Sequence, residues 1–503
     1  MNNNDGGENQ EQKTGALAQQ IDRVLFGFLF LMVLCAPHSI AATQTAWVLT
    51  FLVWVVRLCV RPCPMLHRTP VDIFFVLIFL FTFLSAVFSY SPHISFPLLR
   101  GVLQCTIVFL IAQNVFASRH LRILALTLVL SCTVNVFYSF AERVVGRGVK
   151  IEGLKETSPL YVGGVRSGDT LLEVNGQKLH SFDELYNALS SSGSEPAKIK
   201  IYRYEYVTTF DVECGKFLDG QSQLEKVGIS SWSRGRDWRA AGFYGHYTTY
   251  SEVLQLILSL SVGLFIALEK KLSWQGVLLA VVVISQGISL LMTVTRASWL
   301  AFLISAFVIV LTGASRRTIL ILAVIALVVV PAGLFLLQQK RNVGFFDSKD
   351  NSTTYRGTVW REGFSLLISK PRHWFVGVGM NSLKEHWREW GLFDNGKLPM
   401  GHMHSTYLQL GLERGFPALL VWLALIFVYG RMLFRLARSQ SVKGWIERGI
   451  ILGALGGLVG FMTSAIVHYN WGDSEVVMVF YIIMGFCLVI ERKSKLETEE
   501  IQA

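Results

Sequence analysis

Lys270–Thr293 reads K-K-L-S-W-Q-G-V-L-L-A-V-V-V-I-S-Q-G-I-S-L-L-M-T, and from Trp274 onward it holds no Asp, Glu, Lys or Arg. A helix of that length reaches ~30 Å, the depth of a bilayer's hydrocarbon core, at ~1.5 Å per residue. The lysines stand at one end. At the other the chain continues T-V-T-R-A-S-W-L, so Arg296 marks where one apolar run stops and the next begins. Similar runs lie at 21–41, 42–60, 71–90, 97–116, 120–140, 247–268, 296–312, 317–338, 414–434, 447–468 and 474–491. With 274–293 these make about twelve spans and predict an all-α polytopic membrane protein. The first pair shares one apolar stretch, broken by Pro37 and His38.

Composition agrees. The 503 residues are 52% hydrophobic and 16% charged, outside the range of ordinary soluble domains. Cations sort by side. Arg57/Arg61/Arg68, Arg119/Arg122, Lys270/Lys271, Arg316/Arg317, Arg431/Arg435/Arg438/Lys443/Arg448 and Arg492/Lys493/Lys495 fall at alternate span ends, whereas Pro37–Thr45 and Ser89–Pro97 carry no Lys or Arg. The positive-inside rule then places both termini in the cytoplasm. The net charge of +11 reads as anchoring to inner-leaflet lipid, so membrane lipid is an expected partner and nucleic acid is not. Residues 1–20 are polar, lack a cleavable signal pattern and predict a disordered cytoplasmic tail; 492–503 form a second tail. Between them, 21–142 hold spans one to five, 246–338 six to nine and 409–491 ten to twelve. Of seven cysteines only Cys214 falls outside, which leaves no disulfide framework, and Cys59-x-x-x-Cys63 lacks further metal ligands.

Two segments face the outside. The first, 143–245, alternates strand-like runs and turns across 148–214, with a helical segment from Ser181 to Ser190. Asn175-Gly176 predicts a tight hairpin turn, since both residue types tolerate positive φ. Through S-P-L-Y-V-G-G-V-R-S-G-D-T-L-L-E-V-N-G and the following S-F-D-E-L, this α+β stretch resembles a PDZ domain of the bacterial type. Such domains capture a peptide beside an edge strand, which implies a peptide or protein partner. The family's first strand and carboxylate-holding loop should precede Gly148, where only A-E-R-V-V-G-R-G is left; Phe217–Val227 is the candidate for a replacement strand. A docking or spacer module without a free peptide is the alternative.

The second outside segment, 339–408, carries the chemistry. Thr354–Ser369 predicts an amphipathic helix with Trp360, Phe364, Leu367 and Ile368 on one stripe, stopped by Pro371. Trp360, Trp374, Trp387 and Trp390 suit the head-group layer, and Arg356 lies one turn before Trp360. His402–Gly415 then reads H-M-H-S-T-Y-L-Q-L-G-L-E-R-G, which sets a group titrating near neutrality where the wet loop returns to the bilayer. Arg296, Arg356 and His404 thereby form two fixed cations and one tunable base on the outer side. Guanidinium forks bind phosphate oxygens bidentately and stabilise a leaving diphosphate without a metal. An imidazole takes the proton of an attacking hydroxyl. No paired acidic metal motif is evident, so no metal or other cofactor is expected.

The order T-x-T-R-A-S-W-L, Y-R-G-T-V-W, K-P-R-H-W-F-V-G-V-G-M and H-M-H-S-T-Y-L-Q-L-G-L-E-R-G resembles the O-antigen ligase and polymerase superfamily of polytopic glycosyltransferases. R-A-A-G-F-Y-G-H-Y-T-T-Y-S-E, Arg239 to Glu252, also resembles the motif opening one of that family's spans. The resemblance covers the chain outside the PDZ-like insertion. It implies a GT-C-like bundle in a bacterial inner membrane, with a periplasmic active site. Arg296 and Arg356 would hold the pyrophosphate of a polyprenyl-linked glycan donor. His404 would deprotonate a hydroxyl of the acceptor, lipid A-core or another glycan, with inversion at the anomeric carbon. His402 competes for the base role, although spacing to Tyr407-Leu408 favours His404. Tyr407, Glu413, Arg239 and His246 are supporting candidates, and His246 and His468 sit at outer edges, placed for structural or substrate-positioning roles rather than catalysis. Ser405 replaces the family's usual Asn, and F-P-A replaces a later glycine.

Ligase, polymerase and protein glycosyltransferase remain open, with ligase favoured. A zinc protease with a PDZ module needs His-Glu-x-x-His, and Glu385-His386-Trp387-Arg388-Glu389 does not supply it. A transporter or PDZ scaffold would not gather its notable charges at one face.

Overall fold

The structure is a computed structural model that describes residues 5–193, 195–203, 206–213, 217–236, 238–316 and 351–502. Its helices, in chain order, are α1 Asp5–Cys35, α2 Ile40–Cys59, α3 Asp72–Val87, α4 Pro92–Val102, α5 Thr106–Asn114 and α6 Ser118–Val145. The insertion adds α7 Pro159–Val162, α8 Phe182–Ser191 and α9 Gln223–Val227. Then follow α10 Tyr247–Ala267, α11 Trp274–Met292, α12 Arg296–Gly313, α13 Asn351–Ile368, α14 Pro371–Val376, α15 Leu383–His386 and α16 Leu392–Gly396. The chain closes with α17 Thr406–Arg438, α18 Trp445–Ser464 and α19 Ser474–Gln502. Among the described residues, ten helical segments are long and apolar enough to cross a membrane, one of them formed jointly by α4 and α5 as Pro92–Asn114. α3 is apolar but shorter, at 16 residues. The chain is a mostly helical, multi-pass membrane protein with an inserted strand-rich segment. The run at 317–338 lies outside the described residues.

Helix boundaries depart from the sequence reading at two places. The polar stretch expected as a tail is helical from Asp5 onward. The span expected from residue 414 begins earlier, at Thr406, because Ser405 caps the helix by accepting from Leu408 N–H.

The chain divides into two compact units, 1–134 with 243–291 and 295–503, and 135–242 with 292–294. In the first, α18 carries I-I-L-G-A-L-G-G-L-V-G, and its glycines let three helices approach. A Cβ on Gly453 would stand 2.5 Å from Leu260 Cα, and one on Gly263 would stand 2.4 Å from Gly449 O. On another side, a Cβ on Gly456 would lie 2.7 Å from Ser305 O of α12. Lipid tails are as apolar as Leu, so such contact and interhelical polar links drive association in a bilayer. The links here are Ser259 to Ser305 at 2.6 Å, Ser251 to Ser298 at 2.8 Å and Ser261 to Gln286 at 2.9 Å. Several cations expected inside have partners: Arg57 with Asp22 at 2.7 Å, Arg122 with Glu447 at 3.0 Å and Arg435 with Glu491 at 2.9 Å.

The second unit holds strands β1 Arg147–Glu152, β2 Thr170–Val174, β3 Gln177–Lys178, β4 Pro196–Arg203, β5 Tyr206–Glu213 and β6 Ser231–Gly235. The sheet order is β5-β4-β2-β1-β6, antiparallel throughout, with β3 paired to β2 across the Asn175-Gly176 turn. Both turn residues have positive φ, 49° and 82°. The replacement strand is β6, not Phe217–Val227, which forms a connection containing α9. Trp232 of β6 stacks on Phe182 at the start of α8, and Phe217 stacks on Tyr186 one turn later. Buried Asp169 takes both Arg203 Nε and Nη2 together with Arg166 N–H, which fixes the R-S-G-D-T turn.

Candidate functional site

The segment after residue 350, expected outside, has its own small core that includes Val359, Leu367, Val378, Leu383, Phe393 and Met403. α13 meets it with Val359 and Leu367, while Phe364 and Ile368 stay exposed. The expected stripe therefore splits. Trp360 turns to the loop instead, where its Nε1 donates to Met403 O at 2.8 Å. Met403 N–H in turn donates to Gln409 Oε1 at 2.7 Å, so the residue between the two histidines is clamped on both sides.

That clamp shapes the loop. His404 takes a φ of 46°, in the left-handed region, and its N–H donates to His402 Nδ1 at 3.0 Å. The two imidazoles lie 4.1 Å apart, and His404 meets Tyr355 edge-on at 5.4 Å. Immediately after, Thr406 N–H donates to Ala465 O and His468 O, both at 2.9 Å. Thr406 Oγ1 donates to Asn470 Oδ1 at 2.8 Å. The start of α17 is thus pinned to the link between α18 and α19.

Burial is the first cause of unusual imidazoles here. It pushes His404 down to about 3 and His402 down to about 4. The fixed charge of Arg356 acts in the same direction on both rings, and a proton on His468 would add to it. Asp473 opposes the shift at His402, and His246 adds to it. Both rings are consequently neutral near pH 7, the form that can accept a proton.

The site residues expected from sequence separate into groups. Arg356, His246, His468 and Asp473 bear electrostatically on His402, and His402, Arg356 and His468 on His404. Arg296 opens α12, whose first turn is tied to α10 through Ser298 and Ser251. α10 in turn reaches the same link through Glu252 to His468 and Thr249 to Asp473. These ends of α10, α12, α17, α18 and α19 therefore converge. Tyr407 points elsewhere: its hydroxyl donates to Met462 O at 3.0 Å and its ring meets Trp422. Glu413 is a buried anchor, accepting from Asn381 N–H, Gln409 Nε2 and Tyr469 Oη–H at 3.0, 2.8 and 3.2 Å. Arg239 belongs to the second unit.

Below the loop α17 breaks at Gly415, where φ is 82° and ψ 167°. Pro417 has no N–H for Glu413 O, so Gly379 N–H and Ser85 Oγ fill that acceptor at 3.0 and 2.6 Å. Val378 N–H reaches Leu412 O at 2.9 Å alongside. The approach is tight. A Cβ on Gly377 would stand 2.3 Å from Glu413 C, and one on Gly415 would stand 2.4 Å from Phe375 O. The F-P-A departure thus falls at a break whose freed carbonyls have partners.

Residues 279–423 match the family model described as O-Antigen ligase. Residues 150–203 match the one described as PDZ domain. The chain contains both domains. From here the O-antigen ligase domain supplies Arg296, Arg356, His402, His404, Tyr407 and Glu413, whereas Arg239, His246, Glu252 and His468 lie outside the matched residues. A Bartonella henselae protein that bears the name of a zinc metalloprotease is 29% identical over 116 residues. That is 23% of this chain, and the chain spans about 31% of the relative's length.

Sequence reasoning missed the partner of His468. Glu252 is buried in α10, and a carboxylate inside an apolar run is a signal that a partner or a wet cavity is near. Tyr355 and Tyr469 carried no such signal.

Proposed function

We propose that this protein is a ligase-type glycosyltransferase that moves a glycan from a polyprenyl-pyrophosphate carrier to an acceptor hydroxyl at the periplasmic face of a bacterial inner membrane. The fold in this reading is a GT-C-like bundle of about twelve spans. The single observation that carries the reading is the gathering of Arg356 and two imidazoles, held in the neutral form by burial, at the converging helix ends, within the matched residues.

Arg356 and Arg296 hold the diphosphate, whose negative charge spreads over oxygens suited to guanidinium forks. His404, neutral when substrate arrives, takes the hydroxyl proton as the acceptor oxygen attacks the anomeric carbon. The bond from that carbon to the carrier phosphate breaks with its electron pair, and the arginines stabilise the charge that develops. Attack opposite the leaving group inverts the carbon. No cofactor enters this scheme. Polymerase and protein glycosyltransferase variants use the same steps and differ in acceptor, and the PDZ domain favours a protein or peptide partner for whichever applies.

A metalloprotease reading draws on the Bartonella relative alone. None of the 11 histidines in this sequence is followed by Glu, so His-Glu-x-x-His occurs nowhere in it. The test is chemical. In a strain lacking the gene, carrier-linked polymer should accumulate, and plasmids encoding His404→Ala or Arg296→Ala should fail to relieve it while the protein still inserts. Relief by both variants would refute the site. Accumulation of single unpolymerised repeats would instead identify a polymerase.

A further inference from the structure

Glu252 and His468 are 216 positions apart, yet Glu252 Oε1 meets His468 Nδ1 at 2.5 Å, and each residue is buried, at 3% and 6% exposure. Two ionisable groups withdrawn from water at a membrane-helix end are costly unless each answers the other. A structural tie would need neither. Ser–Ser links do that work elsewhere in this bundle, between α10 and α12. The pair also stands next to the loop. His468 O accepts from Thr406 N–H, two residues beyond His404, and a proton on His468 would bear on both loop imidazoles. A carboxylate on Nδ1 fixes the imidazole's tautomer and orientation and stabilises its protonated form, as in acid–base triads generally.

Resting on the glycosyltransferase reading above, we propose that His468 is a second proton-carrying residue of this site and Glu252 its positioning residue. The acceptor O–H bond breaks and its proton passes to His404 as the new C–O bond forms. The diphosphate leaves with the electron pair of the broken glycosyl bond. The proton then moves from His404 to His468, where the Glu252 carboxylate balances the imidazolium, and returns to water when the products depart. His404 is held to the neutral form by burial first and then by His402 beside it and the Arg356 charge, whereas His468 has a carboxylate in direct contact. The other charged groups about the pair are Asp473, bonded to Thr249 Oγ1 at 2.6 Å, then Glu475, whose N–H donates to Asp473, and His246 near His402.

Glu252→Gln decides the matter, because the amide oxygen still accepts from His468 Nδ1–H while the charge is gone. Full-length protein in proteoliposomes, supplied with carrier-linked glycan extracted from the host membrane, should lose roughly 10²-fold in kcat with the donor KM unchanged. The acid limb of the rate profile should move to lower pH, since His468 loses the group that favours its protonated form. His468→Gln should show the same kcat loss, and it carries the comparison should Glu252→Gln fail to insert. Wild-type kcat and an unmoved pH profile in a well-inserted Glu252→Gln would overturn the proposal. His404→Ala, run alongside, separates the two ideas: if it is inactive and Glu252→Gln is normal, only the pair's role falls, whereas an active His404→Ala removes the catalytic reading itself.

Discussion

Gln409 holds the histidine loop at a buried crossing, and replacing it by Met tests whether that loop's geometry is what the site depends on. Its Oε1 accepts from Met403 N–H and its Nε2 donates to Glu413 Oε1, while the residue itself is 2% exposed. Met fills nearly the same volume without either function, so packing changes little. Leaving the buried Met403 N–H without an acceptor costs about 1–3 kcal/mol, and the lost bond to a carboxylate adds about 1.5–3. Glu413 keeps Asn381 N–H and Tyr469 Oη–H, which places the sum in the lower half of that range, at roughly 3–4 kcal/mol. At ~1.4 kcal/mol per decade, the ordered loop becomes about 10²- to 10³-fold less favoured relative to displaced forms. Glycan transfer in inverted and right-side-out vesicles should fall accordingly, with membrane insertion and the melting of the helical bundle retained. A Gln409→Met protein that transfers at the wild-type rate would refute the claim that the clamp on Met403 sets the catalytic geometry.

Acid should destabilise the site in a defined window. The folded values of His402 and His404, about 4 and about 3, lie below the ordinary imidazole value of ~6.5, so the unfolded chain binds more protons between them. The stability these rings contribute is complete above ~6.5 and declines as pH falls towards 4 and then 3. A His402→Asn, His404→Asn double variant should melt with a flatter pH dependence across that range, and an unchanged slope would count against their burial. In the bundle, Gly453→Val would drive a side chain into Leu260 Cα and Ser259 O, backbone atoms that cannot yield. Overpacking of this kind costs about 1–3 kcal/mol, and a lowered thermal-aggregation temperature in detergent should report it.

Much of the bundle could be read from the chain because a membrane span is written in continuous apolar residues, as at Trp274–Met292. Boundaries were harder. Thr406–Arg414 is helical ahead of the apolar run, since its contacts come from a distant link at 461–470 and from residues 378–381. β6, S-W-S-R-G, has no alternation to announce it and exists because β1 offers an edge. The histidine pair stood out as a motif, and Arg356 was found beside it. Glu252 was not, because nothing local in α10 shows that His468 will arrive against it. Tyr407 and Glu413 were singled out by proximity in sequence, whereas helix periodicity turns both inward to structural partners.

Gly377 and Gly415 each leave room for the other segment's main chain, so neither position can be redesigned by itself. A library that varied one alone would return only clones in which the opposing segment had been displaced, together with the carbonyl partners at residues 412 and 413. The two glycines behave as a single interlocking joint that sets how far the extramembrane loop stands from the bilayer-embedded half of α17.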